Sequence, residues 1–380
     1  MLRLRSHTLL TLAMALISAM VIACGDGGGE ESSVATVAAT GSAASPSATA
    51  AGTAALRLLP LAPDALGAPA VPPATKSAAA NAVPYESTVA VYAKHGTDAA
   101  PGVFPRTVRH AMGETEIKAA PQRVVVLDTG ELDAVIEMGL LPVGTLDYSS
   151  SGLPPYLEER LRGVSTVGSL AEPNLEAIAA LRPDLILSNK IRHEAIYDKL
   201  AAIAPTVFGE RAGLVWRHNF ALYSEALGRE QEAAATVQQY EERVRALNAK
   251  LPSPRPSVSV IRVLEKDLRY YQRTNFVGGL LTDLGFPRPE SQNVDDFGLL
   301  NMSLETAGQY APAGLIAVSI YPNDENPFGK QMLESPIWKA IPEVQQGKVL
   351  LVNDRVWIAG LGYRAAQSVF DDLAKYFGIQ

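Results

Sequence analysis

Cysteine is almost missing from this sequence: Cys24 is the single one in 380 residues. One thiol forms no intrachain disulfide and builds no cysteine-ligated zinc or iron–sulfur site within one chain. Histidine is nearly as scarce, with five, and His110, His193 and His218 are too scattered to define a metal cluster. A basic surplus is absent as well, the formal charge being −7, which argues against nucleic-acid binding. Common catalytic signatures are missing too: no G-x-S-x-G elbow, Walker loop, G-x-G-x-x-G after a strand, or H-E-x-x-H occurs. Nothing in the chain therefore asks for a catalytic residue, a resident metal or a cofactor.

What is present begins with an export signal. Residues 1–24 carry Arg3 and Arg5, an apolar run over 9–22, then Ala23 and Cys24. The run has the length of a signal-peptide core and is followed by GDGGGEESS rather than a basic stop-transfer flank, so export is expected rather than a membrane span. Val21-Ile22-Ala23-Cys24 resembles a bacterial lipobox, which implies lipid attachment at Cys24. Residues 25–80 are rich in Ala, Ser, Thr, Gly and Pro, without an aromatic residue. Such a stretch buries too little apolar area to offset chain entropy, and 25–103 is expected to be a low-complexity, mostly disordered tether.

From Phe104 onward, apolar runs alternate with helical periods. Residues 107–117 read as a hairpin, 123–127 as a buried strand, 131–138 as a helix stopped by Gly139, and 143–146 as a second strand. In PNLEAIAALRPDLILSN, Asn174 caps a short helix that Pro183 stops; residues 184–188 are a buried strand, and a further helix opens at Asn189. The clearest helix is 226–251, where Ala233, Val237, Tyr240, Val244, Leu247 and Leu251 share one face before Pro252. The alternation then restarts, with strands at 258–263, 315–320 and 349–352 and helices at 278–284, 304–310 and 365–377. The expected fold is α/β: two lobes, 104–225 and 252–380, with small, mostly parallel sheets flanked by helices. A single long helix, 226–251, joins them and a ligand cleft lies between.

Ligands of open α/β units lie beyond the carboxyl ends of strands. At such ends and at helix starts stand Asp147, Tyr148, Arg192, Trp216, Arg217, Arg269, Tyr270, Tyr271, Arg273, Tyr321, Trp357 and Arg364. Guanidinium groups pair bidentately with carboxylates and flat aromatic walls supply contact area, so this set suits a carboxylate-bearing anion. Arg192 is the strongest candidate, in the first turn of a helix that begins at a strand's carboxyl end, where backbone N–H groups favour anions. Glu176 and Glu305 form a separate pair. Each follows a leucine at the start of a helix leading into a strand, so each holds the same place in its own lobe.

Together, several stretches resemble the substrate-binding lipoproteins of bacterial iron–siderophore ABC importers, the rigid two-lobed class with one long connecting helix. They are Met112-Gly113-Glu114-Thr115, PQRVVVLD, PNLEAIAALRPDLILSN, IRHEAIYDKLAAIAPTVF, NMSLETAGQYAPAGLIAV and VWIAGLGYRAAQSVFDDL. The resemblance implies that a ferric siderophore sits between the lobes with little hinge motion. It also implies that Glu176 and Glu305 contact arginines of the ABC permease, and that the chelator saturates the iron so that the protein supplies no metal ligand. Arg192-His193 with Tyr197-Asp198 is similar to the ferric-citrate-like branch, which favours a citrate-type ligand. The expected protein is a non-enzymatic monomer at the cell envelope, anchored through Cys24 to the outer face of the cytoplasmic membrane or periplasmic. Haem or cobalamin in the same fold, and a tethered α/β enzyme, are the alternatives.

Overall fold

The computed structural model describes residues 90–149, 152–213 and 215–380. The export signal, Cys24 and residues 25–89 of the expected tether lie outside the described residues. The remainder of that stretch, 90–103, packs on the first lobe instead of standing free. Tyr92 is buried with its hydroxyl donating to Asn219, and Gly96 bridges to Arg109. Arg106 holds the strap from below, donating to Ala100 O at 2.9 Å and Val103 O at 2.8 Å. One buried aromatic ring and a few backbone acceptors fasten this segment, so no apolar period announces it.

Strands β1 (Arg106–His110) and β2 (Gly113–Ile117) form the expected hairpin. Five parallel strands follow: β3 (Val124–Val126), β4 (Gly144–Thr145), β5 (Ser165–Thr166), β6 (Leu185–Asn189) and β7 (Thr206–Gly209), in the order β5-β4-β3-β6-β7. Parallel strands covered on both faces need continuous apolar runs, and β3 and β6 are buried at every position. The chain moves outward from β3 through β4 to β5, then returns on the other side at β6, so the order reverses between β3 and β6. Helix α1 (Thr129–Glu137) leaves β3, capped by the Asp128 carboxylate, which accepts from Thr129 N. Helix α2 (Leu175–Ala180) leads into β6 and α3 (Lys190–His193) leaves it.

The expected connecting helix, 226–251, is present but starts later, at Glu230, because residues 226 and 227 end the helix before it. Helix α4 (Trp216–Leu227) closes at Gly228, whose φ of +65° ends it in the left-handed conformation, and α5 (Glu230–Lys250) begins two residues later. At 21 residues α5 is about 32 Å long, and it buries Ala233, Tyr240 and Leu247 of the predicted face.

The second sheet comprises β8 (Val258–Val263), β9 (Leu268–Tyr271), β10 (Gly298–Met302), β11 (Leu315–Ile320) and β12 (Val349–Val352), ordered β10-β9-β8-β11-β12. Strands β8, β11 and β12 are parallel, whereas β9 and β10, which the apolar runs did not reveal, are antiparallel additions. Helices α6 (Phe276–Asp283), α7 (Asp354–Trp357) and α8 (Tyr363–Tyr376) complete the part that shapes the site.

A single apolar cluster runs through both halves, taking Leu132 and Val135 from α1, Phe220 and Tyr223 from α4, Leu280 from α6 and Phe370 from α8. Within it Asp133 of α1 is fully buried and accepts from the backbone N–H groups of Arg364 (3.3 Å) and Ala365 (3.2 Å), the start of α8. That approach requires Gly362, where a Cβ would lie 2.0 Å from Asp133 Oδ1. Burial, reinforced by the Glu137 charge, pushes the Asp133 carboxyl up to about 7. An unfolded aspartate ionises near pH ~4, so between there and neutrality the folded chain binds the extra proton and its stability falls as pH rises. Asp133→Asn is expected to flatten this slope, by an amount on the order of a few kcal/mol across the window. Urea unfolding from pH 5 to 8 checks it, and parallel stability curves for the two proteins would refute the assignment.

Candidate functional site

Beyond the carboxyl ends of both sheets lies a cavity of about 470 Å³. The first lobe contributes Asp128, Thr129, Tyr148, Leu170 and Arg192; the second contributes Arg262, Arg269, Tyr271, Phe276, Phe297, Tyr321, Asp354 and Arg355. Asp128 follows β3 and Arg192 follows β6, so the first-lobe wall forms where the strand order reverses, as open α/β sheets dictate. The four lining guanidinium groups face two carboxylates, a surplus of two positive charges.

The second-lobe wall follows from strand alternation. Arg262 of β8 and Arg269 of β9 are direct cross-strand partners, and both side chains face the cavity. Their neighbours Ile261, Val263, Leu268 and Tyr270 face the opposite way into a core cluster. Like charges placed opposite one another destabilise a ladder. Asp354 relieves half of the conflict: Arg262 Nε and Nη2 donate to its two oxygens at 2.7 Å each, and Ser319 Oγ donates to Oδ1 at 2.7 Å. The Arg262 guanidinium also lies 4.8 Å from the centre of the Tyr321 ring. Arg269 has no such relief, and its buried Nε has no hydrogen-bond partner.

Across the cavity Arg192 Nε donates to Asp128 Oδ2 at 3.1 Å while its side chain stays 42% exposed, so the guanidinium is tethered at one edge and open at the other. Its helix, α3, has four residues and presents no helix-dipole site of consequence, so the position of Arg192 rests on the strand end alone. The Tyr148 hydroxyl is buried in the same wall without a partner. Arg355 spans the lobes, with Nη1 3.3 Å from Leu153 O and 3.6 Å from Glu158 Oε1. His193 is a structural residue: Nδ1 meets Ser188 Oγ at 2.6 Å and Nε2 meets Leu170 O at 2.8 Å. Among the described residues no group of three or more His, Cys, Asp or Glu is placed to hold a metal ion.

Of the residues singled out from the sequence, Tyr148, Arg192, Arg269, Tyr271, Tyr321 and Trp357 meet at this cavity. Trp357 is fully buried beneath it, with Nε1 turned away to Asp372 at 2.8 Å. The others are elsewhere. Tyr270 is in the core because it alternates with Arg269 and Tyr271. Trp216 is packed against Phe276 and Tyr363, and Arg217 lies over its ring, paired with Asp283. Arg273 pairs with Asp295 at 2.7 Å, and Arg364 pairs with Glu137. Asp147 is exposed beside a neighbouring depression and accepts from Ser149 N at 2.8 Å. Arg262, Asp354 and Arg355 were not anticipated. A charge inside the apolar run VSVIRV signals Arg262, and the strand-end rule that picks out Arg192 also covers Asp354 and Arg355 after β12.

Glu176 is exposed in the first turn of α2, whose cap Asn174 accepts from Ala177 N at 2.9 Å. Glu305 is exposed in the 3₁₀ turn Leu304–Thr306, and the Ser303 hydroxyl holds its carboxyl below the usual range. Their elements lead into β6 and β11, which pair with β3 and β8 respectively, so the two glutamates hold corresponding places in the two sheets.

A model of the family described as periplasmic binding protein matches residues 124–356. The probable siderophore-binding lipoprotein YfiY of Bacillus subtilis is 38% identical over 286 residues, covering 72% of this chain and 87% of that protein. The Fe(3+) dicitrate-binding periplasmic protein FecB of Escherichia coli is 28% identical over 279 residues, covering 72% and 91%. Among solved structures, Staphylococcus aureus SirA complexed with staphyloferrin B is similar with a TM-score of 0.63 at 30% identity, covering 72% of this chain and 99% of that one.

The geometry makes Arg262 structural as well as cavity-facing. Arg262→Met leaves the Asp354 carboxylate, 3% exposed, without its cation, and breaking such a buried pair costs about 3–5 kcal/mol. Urea unfolding measures this; a loss below about 1 kcal/mol would show that Asp354 finds compensation elsewhere.

Proposed function

Because the chain belongs to the periplasmic binding protein family, we propose that it captures a ferric siderophore of the citrate type outside the cytoplasm and delivers it to an ABC importer. The observation that carries this reading is the unpaired, half-buried guanidinium of Arg269 facing a cavity that also holds the partly free Arg192. A buried cation without a counter-charge is costly, and an anionic chelate with peripheral carboxylates supplies one. Aromatic surfaces from Tyr271, Phe276 and Phe297 give such a chelate apolar contact area. The relatives named for siderophore, dicitrate and staphyloferrin B binding support the same ligand class. The iron enters as cargo within its chelator, and the protein meets the chelator's outer atoms.

In this reading the protein works as a monomer. Cys24 carries the lipid, residues 25–89 link the anchor to the body, and Glu176 and Glu305 are the two contacts to the permease. No helix among the described residues is long and apolar enough to cross a membrane.

Tryptophan fluorescence titration with ferric citrate, ferric hydroxamates, ferric catecholates, haem and cobalamin tests the ligand class, and silence towards every iron chelate would sink the reading. Arg269→Ala and Arg192→Ala should each weaken an anionic chelate by about 1.5–3 kcal/mol, the worth of a charge-assisted hydrogen bond. Unchanged affinity would place those groups outside the contact. The double variant Glu176→Arg/Glu305→Arg should bind ligand normally yet fail to support uptake by cells; normal uptake would remove both residues from the docking surface.

A further inference from the structure

Arg192 is held on Asp128 at one edge, and its partner is not alone. Asp128 Oδ2 accepts from Arg192 Nε at 3.1 Å and from Asn189 Nδ2 at 3.2 Å. The same amide nitrogen reaches Glu131 Oε1 at 3.1 Å, and that oxygen also accepts from Tyr223 OH at 2.6 Å. Asp128 and Glu131 are three residues apart, one turn of α1, so the two carboxyl groups share one amide behind the cavity wall. Asp128 lines the cavity, and Glu131 is buried behind it.

The cation facing this pair is Arg192. Around Glu131 stand Tyr223 from α4, Tyr92 from the amino-terminal strap and Tyr148 after β4, all three phenols held protonated by burial. His193, after β6, faces Asp128, and burial lowers its pKa, keeping it neutral near pH 7. Glu131 is thus the group in this cluster able to change protonation near neutrality. Burial and the Asp128 charge push Glu131 up to about 7. Asn189 Oδ1 is buried without a partner, an acceptor on the shared amide suited to the O–H of a protonated carboxyl.

We propose that Glu131 couples anion capture to proton uptake: as an anionic ligand draws the Arg192 guanidinium off Asp128, the carboxyl pair left behind takes one proton from solvent through the cleft. Glu131 is then a positioning residue, acting on the ligand through Asp128 and Arg192. The inference rests on the reading that an anion engages Arg192. Its sign is fixed: the loaded protein holds more protons than the free one, so affinity rises as pH falls across neutrality. One proton limits the effect to about tenfold per pH unit.

The coupling is read first without ligand. NMR of the Glu131 side-chain carboxyl carbon in the full chain gives its titration midpoint, in wild type and in Arg192→Gln. Loss of the cation should move the midpoint upward; a midpoint that stays in place overturns the proposal and leaves the binding reading standing. The second measurement uses ferric citrate titrations at pH 6, 7 and 8 with wild type, Glu131→Gln and Asp133→Asn, each checked for folding by near-ultraviolet circular dichroism. The ionisation of the chelate is common to all three and cancels in ratios. From pH 6 to 8 wild type should lose about threefold or more in affinity relative to Glu131→Gln, with Asp133→Asn following wild type. A ratio that does not change with pH overturns the coupling. Ferric citrate binding to none of them would defeat the ligand assignment, and the NMR midpoint, which is also immune to a folding failure of Glu131→Gln, decides the proposal by itself.

Discussion

The bidentate contact between Arg262 and Asp354 is what allows the cleft to carry its charge. Two arginines directly opposite on an antiparallel ladder would push β8 and β9 apart. Asp354 takes up one of them, and Ser319 of the central strand β11 fixes that carboxylate in turn. Strands β8 and β11 are therefore joined at one carboxylate, that of the first residue of α7. With Arg262 neutralised in place, Arg269 is left as a rigidly mounted positive charge on a strand, which is a more defined target than the same group on a loop.

The two walls differ in how they hold their arginines. On the second lobe Arg269 is set by strand geometry, and its Nε has no hydrogen-bond partner. On the first lobe Arg192 is engaged with Asp128, which stands at the reversal of strand order and reaches back to Glu131 through Asn189. A fixed cation faces an adjustable one. In the proposed reading such an arrangement orients an anion from one side and lets the other side respond.

Much of this was legible from residue patterns. Continuous apolar runs located β3, β6, β8, β11 and β12 because parallel strands are covered on both faces, and proline and glycine marked the helix ends. Arg192 was legible as a residue just past a strand's carboxyl end, and Glu176 and Glu305 as residues in corresponding places of the two lobes. Strands β9 and β10 were not, since in LRYY cavity-facing and core-facing residues alternate over too short a span to show a period and GLLNM is broken by a register shift between Leu299 and Met302. The same alternation separates Tyr271, which lines the cavity, from Tyr270, which does not. Arg217, Arg273 and Arg364 share the composition of site residues, but each is matched by an acid distant in sequence, Asp283, Asp295 or Glu137, and composition carries no record of such pairings.

Asp133 ties the two sheets' surroundings together. Its carboxyl group, on the first helix of the first lobe, accepts the backbone N–H groups that open α8, the last helix of the chain, and Gly362 keeps the space for it. The amino-terminal half thus supplies the cap for a helix that the carboxyl-terminal half cannot cap for itself, since Gly362 has no side chain to do so. Cut between the lobes, one fragment would carry an exposed acid where a buried one belongs and the other a frayed terminal helix. The first helix of the first lobe thus completes the last helix of the second.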